Sequence, residues 1–218
     1  MQLKPQTNVK EYAKFVRVAP TSSSTKGFQV TLKLPSSKAL VGQEDYINFY
    51  CGLHGLECGI STKNHPDFKV GGALKWRWFV NGTSKATGSP EYSDGSTITL
   101  LLAIDESQNN RIVFKVNGVQ KFISPESYSA IDNSRLIIAA LQAVGIKRPL
   151  AAWKLTHAQV TASAMKYKTS NNTWQNITNN NAAWDKFNAP TDQATFPAIQ
   201  NYTVSPNLAS STIYASIK

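Results

Sequence analysis

Long apolar runs are missing from this sequence. No stretch of 18 apolar residues occurs among its 218, so no membrane-spanning helix is expected. The opening stretch, MQLKPQTNVKEYAKF, has no apolar core of the kind a secretory leader needs, and no signal peptide is expected there. Cysteine is nearly absent, with Cys51 and Cys58 the only two. Two thiols without histidines at short spacing cannot complete a tetrahedral zinc site. A disulfide across a tight strand–turn–strand and a pair of reduced, buried thiols are both compatible with their spacing. The three histidines, His54, His65 and His157, stand apart in the chain. There is no G-x-S-x-G nucleophile elbow, no phosphate-cradling glycine loop and no calcium loop. No metal and no cofactor are expected.

Acidic residues are also few, 13 against 23 lysines and arginines, which leaves a net charge of +10. The basic residues are scattered, densest at Lys75/Arg77, Lys147/Arg148 and Lys166/Lys168. Scattered positive charge suits a general attraction to polyanions better than a nucleic-acid site with defined readout. An anionic cell-wall polymer or an acidic polysaccharide is the natural counterpart, and plain solubility charge is the alternative. Scarcity of acids also bears on catalysis. Glycoside hydrolysis needs two carboxylates roughly 5–10 Å apart, and no E-x-D-x-x-E pattern occurs. Asp105-Glu106 stands at a strand end and reads as a turn. The Ser-, Thr- and Asn-rich composition, only 17% charged, resembles that of secreted β-proteins, so a secreted or cell-surface location is expected.

Helical periodicity is absent as well; what fills the chain is short period-two segments separated by turn residues. Strands are expected near 11–18, 27–34, 46–53, 55–61, 73–80, 96–104, 111–117, 119–123, 134–144, 155–167, 198–204 and 210–217. Asn117-Gly118 between VFKV and VQKF is a strong hairpin signal, because both residues tolerate positive φ. The Asn- and Thr-rich stretch 169–196, with Trp174 and Trp184, reads as a long decorated loop. About a dozen strands without alternating helices imply a single all-β domain over 1–218, either a two-sheet antiparallel sandwich or a barrel. In a sandwich, Leu100, Leu102, Phe114 and Val116 should lie between the sheets.

The stretch GLHGLECGIS, residues 52–61, sets one carboxylate in a glycine-rich, otherwise apolar strand. Period two puts Leu56, Cys58 and Ile60 on one face and Gly55, Glu57 and Gly59 on the other. Glycines on either side of Glu57 would leave its face open to a ligand. In LKWRWFVNG, Trp76 and Trp78 share a face opposite Lys75, Arg77 and Phe79. Facing outward beside Glu57, the tryptophans would form a stacking platform for sugar rings; facing inward, they are core. Tyr50 and Trp153 are further aromatic candidates on neighbouring strands.

The order of segments FYCGLHGLECGIS, LKWRWFVNG, DGSTITL, IIAALQAV and PLAAWKLTHAQVTASAM resembles the jelly-roll sandwich of the concanavalin A-like lectin and glucanase superfamily. Within it, the layout is similar to that of the glutamic peptidases, the eqolisins. That resemblance implies a two-sheet antiparallel jelly roll with a groove on a concave sheet. The family's catalytic pair is a glutamine and a glutamate. At the glutamine position this chain carries Glu57, and the glutamate position falls within Ala139–Ala143, where Gln142 is the polar residue. Either the pair has exchanged sides, with Glu57 and Gln142 facing each other, or catalysis is gone and the groove remains. The resulting expectation is a monomeric, noncatalytic protein binding a glycan or cell-wall polymer through Glu57, Trp76, Trp78, Gln142, Tyr50 and Trp153. The alternative is a hydrolase of the same fold, peptidase or glycosidase, centred on Glu57.

Overall fold

The computed structural model describes residues 11–22, 24–34, 45–63, 69–70, 73–82, 84–89, 91–129, 135–144, 158–189 and 202–217. Strand-forming alternation dominates these segments, and they fold into β1 (Glu11–Pro20), β2 (Gly27–Lys33), β3 (Asp45–Leu53), β4 (Leu56–Lys63), β5 (Lys69–Val70) and β6 (Ala73–Gly82). β7 (Ala86–Thr87), β8 (Tyr92–Ser93), β9 (Thr97–Asp105), β10 (Arg111–Val116), β11 (Val119–Ser127) and β12 (Arg135–Val144) follow. The last are β13 (Ala158–Lys168), β14 (Trp174–Asn176), β15 (Ala182–Ala189), β16 (Tyr202–Asn207) and β17 (Thr212–Ile217). Among the described residues, short 3-10 turns at Glu106–Gln108 and Leu208–Ser210 are the helical pieces. Asp105 caps the first of them, its carboxylate accepting from the Ser107 amide, so Asp105-Glu106 is indeed a turn.

The strands form two antiparallel sheets. A nine-stranded sheet runs β15-β1-β12-β3-β4-β6-β5, with β7 and β8 also paired to β6. An eight-stranded sheet runs β11-β10-β9-β2-β13-β17-β16, with β14 added to β13. Their inner faces interlock in one core. Leu100, Leu102, Phe114 and Val116 from the eight-stranded sheet lie at or below 1% exposure, as the alternation predicts, against Phe49, Cys58, Ile60 and Trp76 from the other. Each fully buried side chain of this size contributes about 1.5–3 kcal/mol.

Two hairpins show why local sequence sets the path. His54 and Gly55 both take positive φ, at 49° and 75°, which gives the tight β3–β4 turn its twist. Asn117 and Gly118 do the same for β10–β11, at 51° and 79°. Asn117 also ties that turn to the neighbouring strand, its side-chain oxygen accepting from the Thr99 amide at 2.8 Å. Of segment 134–144, Arg135–Val144 is a strand, β12, seated between β1 and β3.

Of the stretch 169–196, residues 169–189 are described, and they depart from the expected loop. Trp174–Asn176 extends the β13 ladder, and Ala182–Ala189 pairs along β1 to close an edge of the nine-stranded sheet. Turn chemistry hides these strands in the sequence: Asn172 has φ 64°, and the Thr178 amide donates to the Asn181 side chain, so Asn and Thr here build turns between short strands.

Candidate functional site

Glu57 lies on the outward face of the nine-stranded sheet, as alternation requires: Leu56, Cys58 and Ile60 are buried in the core and Glu57 is half-buried opposite them. Residues directly opposite one another in an antiparallel sheet share a face, so the pairing defines what surrounds it. One row reads Gly52, Glu57, Asn81 across β3, β4 and β6, with Arg135 of β12 opposite Gly52. The next reads Arg17, Ile137, Tyr50, Gly59, Phe79 and Thr87 from β1 to β7. A third reads Ala140, Asn48, Ser61 and Arg77.

The glycines act differently from the expectation. Gly55 belongs to the hairpin turn and is not a strand neighbour of Glu57. Gly59 is buried, and a Cβ there would fall on the Phe49 carbonyl oxygen and against Tyr50. It is glycine because the strands approach closely, and the Tyr50 and Phe79 rings on either side meet at 6.1 Å. The face beside Glu57 therefore carries an aromatic ridge and is not a bared sheet.

The tryptophan platform is corrected too. Trp76 is 1% exposed, stacked on Phe49 at 5.6 Å inside the core, with its indole N–H donating to Asp94 Oδ1 at 3.0 Å. Trp78 is half-buried on the same side and packs against the core. Both lie on the face opposite Glu57, and neither offers an outward ring. The residues that do share the outward face are Arg77 and Phe79, one position away in each case, together with Arg17, Asn48 and Asn81. Once Trp76 is known to be buried, the same alternation identifies them. Burial lowers the Arg77 pKa, but a guanidinium stays charged through the physiological range.

Tyr50 lies in the row next to that of Glu57 and is buried within the ridge it forms with Phe79. Gln142 and Glu57 are not neighbours in the sheet. Gln142 pairs with Tyr46, whereas Glu57 pairs with Gly52, six positions further along β3 (52 − 46 = 6). At about 3.3 Å per residue the two are some 20 Å apart along the strands, in addition to two strand spacings of about 4.8 Å each. Two groups acting on one bond must sit within about 10 Å of each other, so they do not form an exchanged catalytic pair. The physical cause is the β12 register, which sets Arg135 and not Gln142 opposite Gly52; the bulge between Ile137 and Ala140 moves Gln142 by a single position, toward Glu57's row. Trp153 lies outside the described residues. Cys51 and Cys58 are directly opposed on β3 and β4, buried as free thiols. Burial pushes both thiols well above the ordinary range, and for Cys58 the neighbouring Cys51 and Glu57 push the same way. Among the described residues, no group of three or more His, Cys, Asp or Glu could hold a metal ion, and no helix is long and apolar enough to cross a membrane.

Comparison with solved structures matches this architecture. Scytalido-glutamic peptidase, solved with a peptide-based transition state analog, superimposes with a TM-score of 0.55 at 11% identity, covering 94% of this chain and 98% of that one. SCP-B, a member of the eqolisin family of peptidases solved with the tripeptide Ala-Ile-His, gives 0.51 at 12% identity over the same shares. The chain thus has the concanavalin A-like sandwich fold, and it has it in the form that these peptidases share. No known protein family matches the sequence, and no curated protein matches it.

Proposed function

We propose that this chain is a noncatalytic binder of an anionic polysaccharide, secreted or displayed at a cell surface, and that it holds the polymer on the outward face of β3, β4 and β6. The observation that carries this reading is the make-up of that face: Glu57, Asn81, Asn48, Arg17 and Arg77 surround the Tyr50–Phe79 ridge, all of them half-buried except Tyr50, which is buried. Sugar rings present apolar C–H faces that pack on aromatic rings and hydroxyl rims that pair with amides and charged groups. The arginines on the face and the net charge of +10 favour a polymer of the opposite sign. The separation of Glu57 from Gln142 supports binding over hydrolysis.

Affinity electrophoresis of the full chain through gels containing anionic or neutral polysaccharides tests this. Retardation in the anionic gel, reduced about tenfold in apparent affinity by Glu57→Gln, which loses a charge-assisted hydrogen bond to a sugar hydroxyl, or by Phe79→Ala, which loses a stacking ring, supports the reading. Release of peptides or reducing sugars by the wild type, abolished in Glu57→Gln, would instead make the chain a hydrolase.

A further inference from the structure

The eight-stranded sheet has an outward face of its own, remote from Glu57, and one part of it is hollow. Pairing aligns Trp174, Lys168, Gly27, Ala103 and Val113 from β14 to β10, and beside that row Lys166, Gln29, Leu101 and Lys115. A Cβ on Gly27 would run into Ala103, so the row dips where β2 and β9 approach. Next to the dip lies a half-open cavity of about 180 Å³, lined by Leu101, Ala103, Val113, Trp174, Lys115 and Asp105 among others. At about 30 Å³ per water molecule it has room for roughly six waters, enough for one small ring.

Its chemistry is specific. Trp174 keeps 37% of its surface exposed, so a face of its ring is open at the cavity wall. Lys168, buried beside it, is committed: its ammonium donates to the Ile104 carbonyl oxygen and to Glu106, both at 2.8 Å. Lys26 is committed likewise, to Asn172 at 2.8 Å and Glu106 at 3.8 Å. Asp105 Oδ1 accepts from the Ser107 amide and hydroxyl. Cations of this outward face include Lys115 at the cavity wall, where it also meets the charge of Asp105, Arg111 opposite Asp105, and Lys166 three strands from Lys115 in the same row. An open aromatic face and an ammonium flanking a one-ring hollow suit a ring with an apolar face and a carboxylate on its edge.

We propose that this cavity is a second binding site, holding a single uronate residue of an acidic polysaccharide, with the sugar's C–H face on Trp174 and its carboxylate on Lys115. The site stands on residues separate from Glu57 and does not depend on how the opposite sheet is used.

The side-chain indole N–H resonances of the five tryptophans report on the site directly, and Trp174→Phe identifies the one that belongs to residue 174. Titration of the full chain with a trimer of galacturonic acid should move that resonance, with affinity reduced about tenfold in Lys115→Gln and unchanged in Glu57→Gln. A neutral galactose trimer should leave it in place. A residue-174 resonance unmoved by millimolar uronate overturns the proposal, and so does one moved equally by the neutral trimer or unaffected by Lys115→Gln. Loss of the shift in Glu57→Gln would place binding at the other sheet and overturn it too.

Discussion

Tyr50 and Phe79 touch edge to face across Gly59, their ring centroids 6.1 Å apart and their planes at 67°. The glycine between them explains the contact: with no side chain on β4 at that level, rings from β3 and β6 close over its backbone. The ridge they form is the firmest apolar feature of the Glu57 face.

Gly59→Ala should therefore be strongly destabilising, by about 1–3 kcal/mol or more, because the new methyl group meets the Phe49 carbonyl and not a movable side-chain tip. The midpoint of urea unfolding measures this. A variant as stable as the wild type would mean that the β3–β4 approach is looser than described.

Trp76 separates packing from hydrogen bonding. Trp76→Phe retains an aromatic ring against Phe49 and loses the N–H to Asp94, so a cost of about 1–3 kcal/mol is expected. Trp76→Ala empties a core site and should cost about 3–5 kcal/mol. Neither change should alter polysaccharide retention except through unfolding, because the ring faces away from Glu57.

Glu106 should shape the acid limb of stability. Burial opposes its charge, but the Lys168 ammonium, with a smaller contribution from Lys26, holds its carboxyl below the ordinary 4.5. A carboxyl lowered in the folded state stabilises above its unfolded pKa, and that contribution fades as pH falls through the folded value. Glu106→Gln should thus be less stable than wild type at pH 7, with the difference shrinking below about pH 4.5. Because the Glu106 side chain is 41% exposed, the effect should stay near or below about 1 kcal/mol. Urea midpoints taken from pH 7 down to 3 give the answer; parallel curves for the two proteins would exclude this role.

Cys51 and Cys58 should be silent toward a thiol reagent in the folded protein, since the thiolate is the reactive form and burial suppresses it. Both should titrate once the chain is unfolded in denaturant. Rapid labelling of the native protein would show that β3 and β4 open readily.

Retention by an anionic polysaccharide should fall steeply as salt rises from 0.15 M toward 1 M, where the screening length drops from about 8 Å to about 3 Å. Retention that ignores salt would leave the +10 charge as a solubility device.

Much of this protein is legible in its sequence because a strand's two faces are written in alternate residues. That period alone places Leu100, Leu102, Phe114 and Val116 inside, sets Leu56, Cys58 and Ile60 opposite Glu57, and marks the Asn117-Gly118 turn. It also pairs Trp76 with Trp78 on one face, but it cannot say which face is the core, since shifting a strand by one residue exchanges the two. Only packing against Phe49 turned the tryptophans inward and brought Arg77 and Phe79 out. The distance from Glu57 to Gln142 was likewise beyond local pattern. It depends on how β12 slides along β3, which is fixed by contacts between residues 83 to 98 positions apart (135 − 52 = 83, 143 − 45 = 98). The edge strand Ala182–Ala189 is hidden for the same reason: its Asn-rich surroundings read as turns, and it becomes a strand because β1 offers it an unpaired edge.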